Sequence, residues 1–527
     1  MAVVCPILDN QYFDPNGNPL AGGKLFFYVG GSFSTEKTTY ENAAATIPNP
    51  NPIVLDSSGY LTTPVFLSTG LYNIALTMPD GTTVLNTWVN IEGGVCDCSQ
   101  YFFGEVWCTQ NQAQFYYDTQ LDVSGNMYCV GRAYPGGPNG YGVVTKLDNT
   151  GSILWNKIYS DSPGSPLGAI FFRSRIDSDN NLIVIGGIVD QYNNYNVIVA
   201  KIAGTTGALI WQKVINNVPG QIDMVYPPPG LCLDNDDNVY VGYTDQYGSF
   251  QSIIVKFDKD GAVVWKVNVT NMLNSRIQAL SYDNGDNTLT FAANYFGQPF
   301  GRINAVDGTY IRAADYALVQ DARMFAITTD DAGHTYLLMS APSQNEIYTA
   351  TICKLDINYD IVWQRQYECI ESINVDDTLW NIKLVDDKIF FQFSRNGPET
   401  GGLYGSVVCC ANQSDGSLVY STFIYSTQTD FITPGFDVRD GVVTVVGRAS
   451  RVNPTFTGYI SRMPANTNGI GTYGWWTYKS EPITVQTPTY VVQPNALGTF
   501  PSTASVTAGN MVAINMRVTS QINELVI

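Results

Sequence analysis

Apolar positions in this chain come in short runs, such as Leu25–Val29, Leu182–Val189 and Val407–Cys410, each closed off by Gly, Pro, Asn or Asp. Runs of this length bounded by turn formers predict strands joined by tight turns. Over residues 1–98, Pro15–Pro19 and Gly30-Gly31 read as turns around the strand Leu25–Val29. The stretch Gly70–Thr77 alternates in part and reaches Pro79-Asp80-Gly81, a hairpin signal, before Val84–Ile91. A small, turn-rich, β-sandwich-like module is expected there.

From about 101 to 480 the pattern repeats. A turn rich in Asp and Asn precedes an apolar strand at Asp122–Asn126, Asp177–Asn181, Asp234–Asn238, Asp283–Asn287 and Asp330–His334, with weaker copies at Asp386-Asp387-Lys388 and Arg439-Asp440-Gly441. A second element follows each turn: a basic residue, a tight turn and a strand ending in an aromatic. It spans Lys146–Trp155, Lys201–Trp211, Lys256–Trp265 and Lys354–Trp363, with degraded forms over Arg302–Ile311, Cys410–Tyr420 and Arg462 to Trp475-Trp476. The turns advance by 55, 57, 49, 47 and 54 residues between positions 126, 181, 238, 287, 334 and 388. Each period is enough for four strands of ~5 to 6 residues with their turns, which is one propeller blade. A lone blade leaves an apolar face uncovered, so copies must stack, and a closed ring covers both ends. The repeat predicts about seven blades over 99–480, against a six-bladed ring or an open solenoid; the repeated Trp is expected to fill the space between blades. Residues 481–527 lose the repeat. Pro482, Pro488, Pro494 and Pro501 punctuate a Thr- and Val-rich stretch that reads as a short C-terminal β tail, free to close the ring, to fold back on the first module or to pair with another copy.

Composition narrows the function. The net charge is −19, and it comes from a shortage of Lys and Arg (27 in all), not from acidic runs. Binding to nucleic-acid phosphates or anionic lipid needs clustered Lys and Arg, so neither partner is expected. No apolar run reaches the ~18 residues of a membrane helix, and the start, Ala2–Cys5 cut by Pro6 with its first basic residue at Lys24, does not read as a secretion signal. Ten Cys in 527 residues do not make a disulfide scaffold.

Candidate chemistry is sparse. The single histidine, His334, takes the turn position held elsewhere by Asn126, Asn181, Asn238 and Asn287, and a hairpin role explains it through shared tolerance of left-handed backbone. One His per chain argues against a Ser-His-Asp triad and His-rich metal sites. Cys96-Asp97-Cys98 with Cys108 lacks the spacing of a zinc site; Cys409-Cys410 reads as core filling from one strand. Paired carboxylates would suffice for a glycosidase, yet Asp376-Asp377 and Asp386-Asp387 give no way to choose a pair. No catalytic residue, cofactor-binding residue or metal ligand is assigned. Tyr-rich loops at Gln191–Tyr195 and Thr244–Gly248 offer rings and amides suited to carbohydrate.

Two resemblances add to this reading. Phe13-Asp14-Pro15-Asn16-Gly17-Asn18-Pro19-Leu20-Ala21-Gly22-Gly23-Lys24-Leu25, then Asn49–Asp56 and Asp80-Gly81, resembles the N-terminal module of tail proteins from short-tailed bacteriophages and, more loosely, the head-binding domain of phage tailspikes. It covers under a fifth of the chain. The resemblance implies that this module attaches the protein to the virion, beside other tail or portal-proximal proteins, that assembly takes place in the host cytoplasm, and that the protein is a homo-oligomer, a trimer. The motif Lys146-x-Asp148-x-x-Gly151-x-x-x-Trp155 is similar to repeats of propellers that include quinoproteins, and implies fold alone. The expected function is a structural tail, tail-fibre or spike-type component whose propeller binds a host-surface glycan, another receptor or neighbouring virion proteins. A propeller depolymerase acting on host polysaccharide and a bacterial surface adhesin are the alternatives.

Overall fold

The computed structural model describes residues 3–4, 11–15, 18–42, 46–68, 70–93, 102–108, 114–134, 140–160, 169–189, 195–216, 229–245, 251–270, 276–294, 299–317, 323–342, 348–369, 374–375, 381–396, 404–426, 431–450 and 456–465. Of the tail it describes the backbone of 471–473, 476–480, 483–486, 491–494, 498–501, 505–508, 512–515 and 518–524. The chain divides into two compact units, Met1–Cys98 and Ser99–Ile527. Both are all-β, with no helix among the described residues.

In the first unit a four-stranded antiparallel sheet runs in the order Ile53–Val54, Lys24–Val29, Gly70–Thr77, Val84–Gly93. Leu25 and Phe27 alternate inward onto Ile53, Leu67, Tyr72 and Ile74. Asn51 extends the sheet by its side chain, accepting the Phe27 N–H at 3.0 Å and donating to the Phe27 carbonyl at 2.8 Å. The expected hairpin at Pro79-Asp80-Gly81 forms, with Gly81 left-handed at φ 76° and Asp80 accepting the N–H groups of Thr82 and Thr83.

The second unit is a seven-bladed propeller. Blade 1 contains Gln114–Leu121, Met127–Ala133, Tyr141–Leu147 and Ile153–Ser160, in antiparallel succession. The seven Asp- and Asn-rich turns join the first and second strands of the seven blades. In blade 1, Asp122 Oδ1 accepts the N–H groups of Ser124 and Asn126, and the turn recurs in this form at Asp177, Asp234 and Asp330. Seven apolar clusters each draw side chains from two neighbouring blades. The cluster of Tyr116, Leu121 and Cys129 with Val446 and Ile460 joins blade 7 to blade 1 and closes the ring.

Closure departs from the local repeat. The outer strand of blade 7 is Phe102–Cys108, from the start of the unit, paired with Phe456–Pro464 so that Arg462 faces Phe102. The expected seventh copy, Arg462 to Trp475-Trp476, is therefore corrected: Trp476 begins a strand added to blade 6, Trp476–Ser480, and Trp475 lies outside the described residues.

The tail does not form a body of its own. Trp476–Ser480, Ile483–Gln486, Val491–Pro494, Gly498–Pro501, Ser505–Ala508, Val512–Asn515 and Val518–Glu524 add a fifth, antiparallel strand to blades 6, 5, 4, 3, 2, 1 and 7 in that order. The tail thus runs around the ring against the direction in which the blades were laid down. Twist explains how a short stretch can do this. Neighbouring strands rotate by ~20–25°, so a fifth strand lies ~80–100° from the first. First strands flank the axis; fifth strands therefore run along the rim. A step of about seven residues at ~3.3 Å each carries the tail ~23 Å to the next blade. Pro494 and Pro501 end two of these strands, where a missing N–H is harmless and blocks further pairing.

Candidate binding site in the axial channel

Blades 1 to 6 are each fastened to the next by one repeated contact. Lys146 pairs across the strands with Trp155, and both donate to the carbonyl of Gly204 in blade 2, at 3.0 and 3.2 Å, joined by Tyr128 Oη at 3.2 Å. Trp211 donates likewise to Lys259, Trp265 to Ala305 and Trp363 to Gln413. The accepting carbonyl is in every case three residues beyond the basic position of the next blade. The expected inter-blade role of Trp is met, and the Lys has a carboxylate behind it: Lys201 Nζ lies 2.7 Å from Asp177 and Lys146 Nζ 3.4 Å from Asp122. Such buried pairs add little net stability, but removing one partner strands the other at ~3–5 kcal/mol. They hold the donors in place.

Two degraded copies keep the contact by other chemistry. In blade 6, Tyr420 donates to the Ala465 carbonyl at 2.8 Å. In blade 4, a bulge between Arg302 and Ile303 sets Arg302 opposite Arg312. The equivalent of Trp is thus Arg312 and not Ile311, and Arg312 donates to the Ile357 carbonyl at 2.9 Å.

Between blades 7 and 1 charged groups near the axis hold the join. Asp437 accepts the Leu121 N–H at 2.7 Å and pairs with Lys383 of blade 6 at 3.0 Å. Arg439 donates to the Leu121 carbonyl at 3.1 Å, and Arg462 to the Gly125 carbonyl. On the other side of blade 1, Asp118 accepts the Ser174 N–H at 2.7 Å with Arg175 at 3.9 Å. Burial holds the Asp118 carboxyl above its usual range, although Arg175 and Arg173 pull it down. Burial also pushes the Arg173 guanidinium down to about 10.

Four of these groups, Arg175, Lys383, Asp437 and Arg439, stand at a cavity of about 490 Å³ on the ring axis, lined by the ends of the first strands of all seven blades. Arg175, Lys383 and Arg439 face it with Asp437, among Ser281, Tyr282 and Thr328. None was singled out in the sequence as a site residue. No local pattern marks them: Arg175 shares its strand with Arg173 and Ser174.

The residues weighed in the sequence lie elsewhere. His334 Nδ1 sits 3.0 Å from Asp330 Oδ2, where Asn126, Asn181 and Asn238 place their amides against Asp122, Asp177 and Asp234. The physical reason differs from the expectation: the left-handed residue in these turns is the preceding one, Gly125, Asn180, Asp237 or Gly333. Cys409 and Cys410 enter opposite inter-blade cores, and burial pushes the Cys410 thiol up to about 12. Cys96–Cys98, Asp376-Asp377 and most of the two Tyr-rich loops lie outside the described residues. Among the described residues no group of three or more His, Cys, Asp or Glu is placed to hold a metal ion, and no helix is long and apolar enough to cross a membrane.

No family model and no curated protein matches the chain. Among solved structures it is similar to quinohemoprotein alcohol dehydrogenase from Comamonas testosteroni (11% identity, 76% of this chain and 73% of that one, TM-score 0.37) and to polysaccharide lyase Uly1 (9% identity, 68% and 99%, TM-score 0.42). It is also similar to XC5397 from Xanthomonas campestris, a gluconolactonase (12% identity, 56% and 87%, TM-score 0.30). Overlaps at these scores say nothing of this chain's chemistry.

Proposed function

We propose that the chain is a structural, binding component of a bacteriophage tail, docked by residues 1–98 and presenting its propeller to a host-surface glycan or to neighbouring virion proteins. The attachment half of this reading rests on the resemblance over Phe13–Leu25 and Asn49–Asp56, whose described residues lie mostly in turns and strand pairings. The binding half is supported by one observation above all: the carboxylates at the axis, Asp118 and Asp437, each accept a main-chain N–H across a blade interface. They are committed to holding the ring, which leaves neither placed as a mobile acid or base for glycan cleavage.

Mass spectrometry of purified virions tests the location, and the expected result is the intact chain at a copy number divisible by three. Its absence from virions would overturn the reading. Incubating the protein with host polysaccharide tests the mechanism: polymer length should be unchanged, and shortening would establish the depolymerase instead.

A further inference from the structure

We propose that the axial cavity is a binding site for a carboxylate-bearing sugar, of one or two rings, held by Arg175, Lys383 and Arg439. The chain as a whole carries −19, yet the described charged groups lining this cavity are these three cations and a single anion, Asp437. The cations come from blades 2, 6 and 7, so only the closed ring assembles them. Lys383 is offset by Asp437 at 3.0 Å, whereas the acids nearest the guanidinium groups, Asp118 at 3.9 Å from Arg175 and Asp440 at 3.5 Å from Arg439, stand outside the lining; among the lining residues the positive excess therefore lies with the two guanidinium groups.

A guanidinium presents paired donors that match a carboxylate. In an acidic protein a small cationic recess is also where the field draws an anion. The hydroxyls of Ser281 and Thr328 on the same wall suit a ligand with hydroxyl groups beside its acid. A volume of about 490 Å³ lies within the range of small-molecule sites. Arg439 also lines a smaller cavity of about 220 Å³ at the join of blades 7 and 1, with Arg462 and the carboxylate of Asp440, where two cations against one anion give a longer glycan a second step.

The inference draws on the binding reading only for the source of the ligand. Absence from virions would leave it standing, and failure of the titration would leave the virion reading standing.

The test is calorimetric titration of the full chain with sodium glucuronate, with glucose and sodium sulfate as comparison ligands. Glucuronate should bind more tightly than either, and Arg439→Gln should weaken it about tenfold or more, the loss expected for a hydrogen bond to a charged group. Arg175→Gln should do the same and serves if Arg439→Gln does not fold. Equal binding of glucose and glucuronate would overturn the proposal, as would sulfate binding as well as glucuronate, no measurable glucuronate binding, or folded variants that bind like the parent.

Discussion

The guanidinium of Arg312 lies 5.7 Å from the ring centre of Tyr359, across the interface between blades 4 and 5. At four other interfaces the same two positions hold Trp and Gly, and the left-handed Gly packs on the indole: Gly207 on Trp155, Gly261 on Trp211, Gly308 on Trp265 and Gly416 on Trp363. Here the aromatic ring has moved to the other blade. Tyr359 takes the glycine position at φ 69°, an outlier for a bulky residue, and is buried against Phe300. The pair should therefore be coupled. Arg312→Trp alone overpacks the interface, by ~1–3 kcal/mol. Tyr359→Gly alone removes a buried ring at ~3–5 kcal/mol, less ~1–2 kcal/mol of relieved backbone strain. The double variant rebuilds the common contact, and urea midpoints should give a favourable coupling of ~1–3 kcal/mol; simple additivity would refute it.

Truncation after Ser480 removes the fifth strand from six blades. The outer edges of blades 1 to 5 become open templates for pairing, and the strand Phe102–Cys108 loses one of its two neighbours. A lower melting temperature and self-association by light scattering are expected. A truncated chain that stays monodisperse and melts like the parent would show the rim strands to be dispensable.

Asp118 sets a pH dependence whose sign follows from its raised value. Between the ordinary carboxylate range, ~4, and the folded-state value, the folded chain keeps a proton that the unfolded chain has lost, so stability falls as pH rises. Asp118→Asn should flatten that part of the profile, read as melting temperature from pH ~4 to ~8. An unchanged slope would mean that the proton is held elsewhere.

His334→Asn restores the residue found at this position in four sister turns, three of which make the same side-chain bond to the turn Asp. Stability should stay within ~0.5 kcal/mol, while His334→Ala loses the side-chain bond to Asp330 at ~1 kcal/mol. Chemical denaturation of the two variants tells them apart. A large loss in His334→Asn would point to a role beyond the turn.

The blades were legible in the sequence because each depends on nearby residues: an Asp bonding two N–H groups within its own turn, and a Lys opposite a Trp one hairpin away. Phe102–Cys108 was not legible as the outer strand of blade 7, since its partner Phe456–Pro464 lies some 350 residues along the chain and Trp475-Trp476 offered a nearer match. Nor was the destination of the tail, because four-residue strands acquire a direction only from the twist of the sheets they join. Arg312 was missed by one position, because the turn before it is one residue longer than in blades 1, 3 and 5 and no aromatic marks its place. The cavity cations share no local pattern; Arg175, Lys383 and Arg439 meet only when seven strand ends converge.

The rim strands also leave the ribosome after every other strand of the blades. Until Trp476 and its successors emerge, every blade has an unpaired outer edge, and those edges are then sealed in order from blade 6 back to blade 1, with blade 7 last. During synthesis the nascent propeller is therefore most adhesive just before Trp476 emerges, and a chain that stalls there would leave the cell with a ring whose whole circumference can recruit strands from other chains.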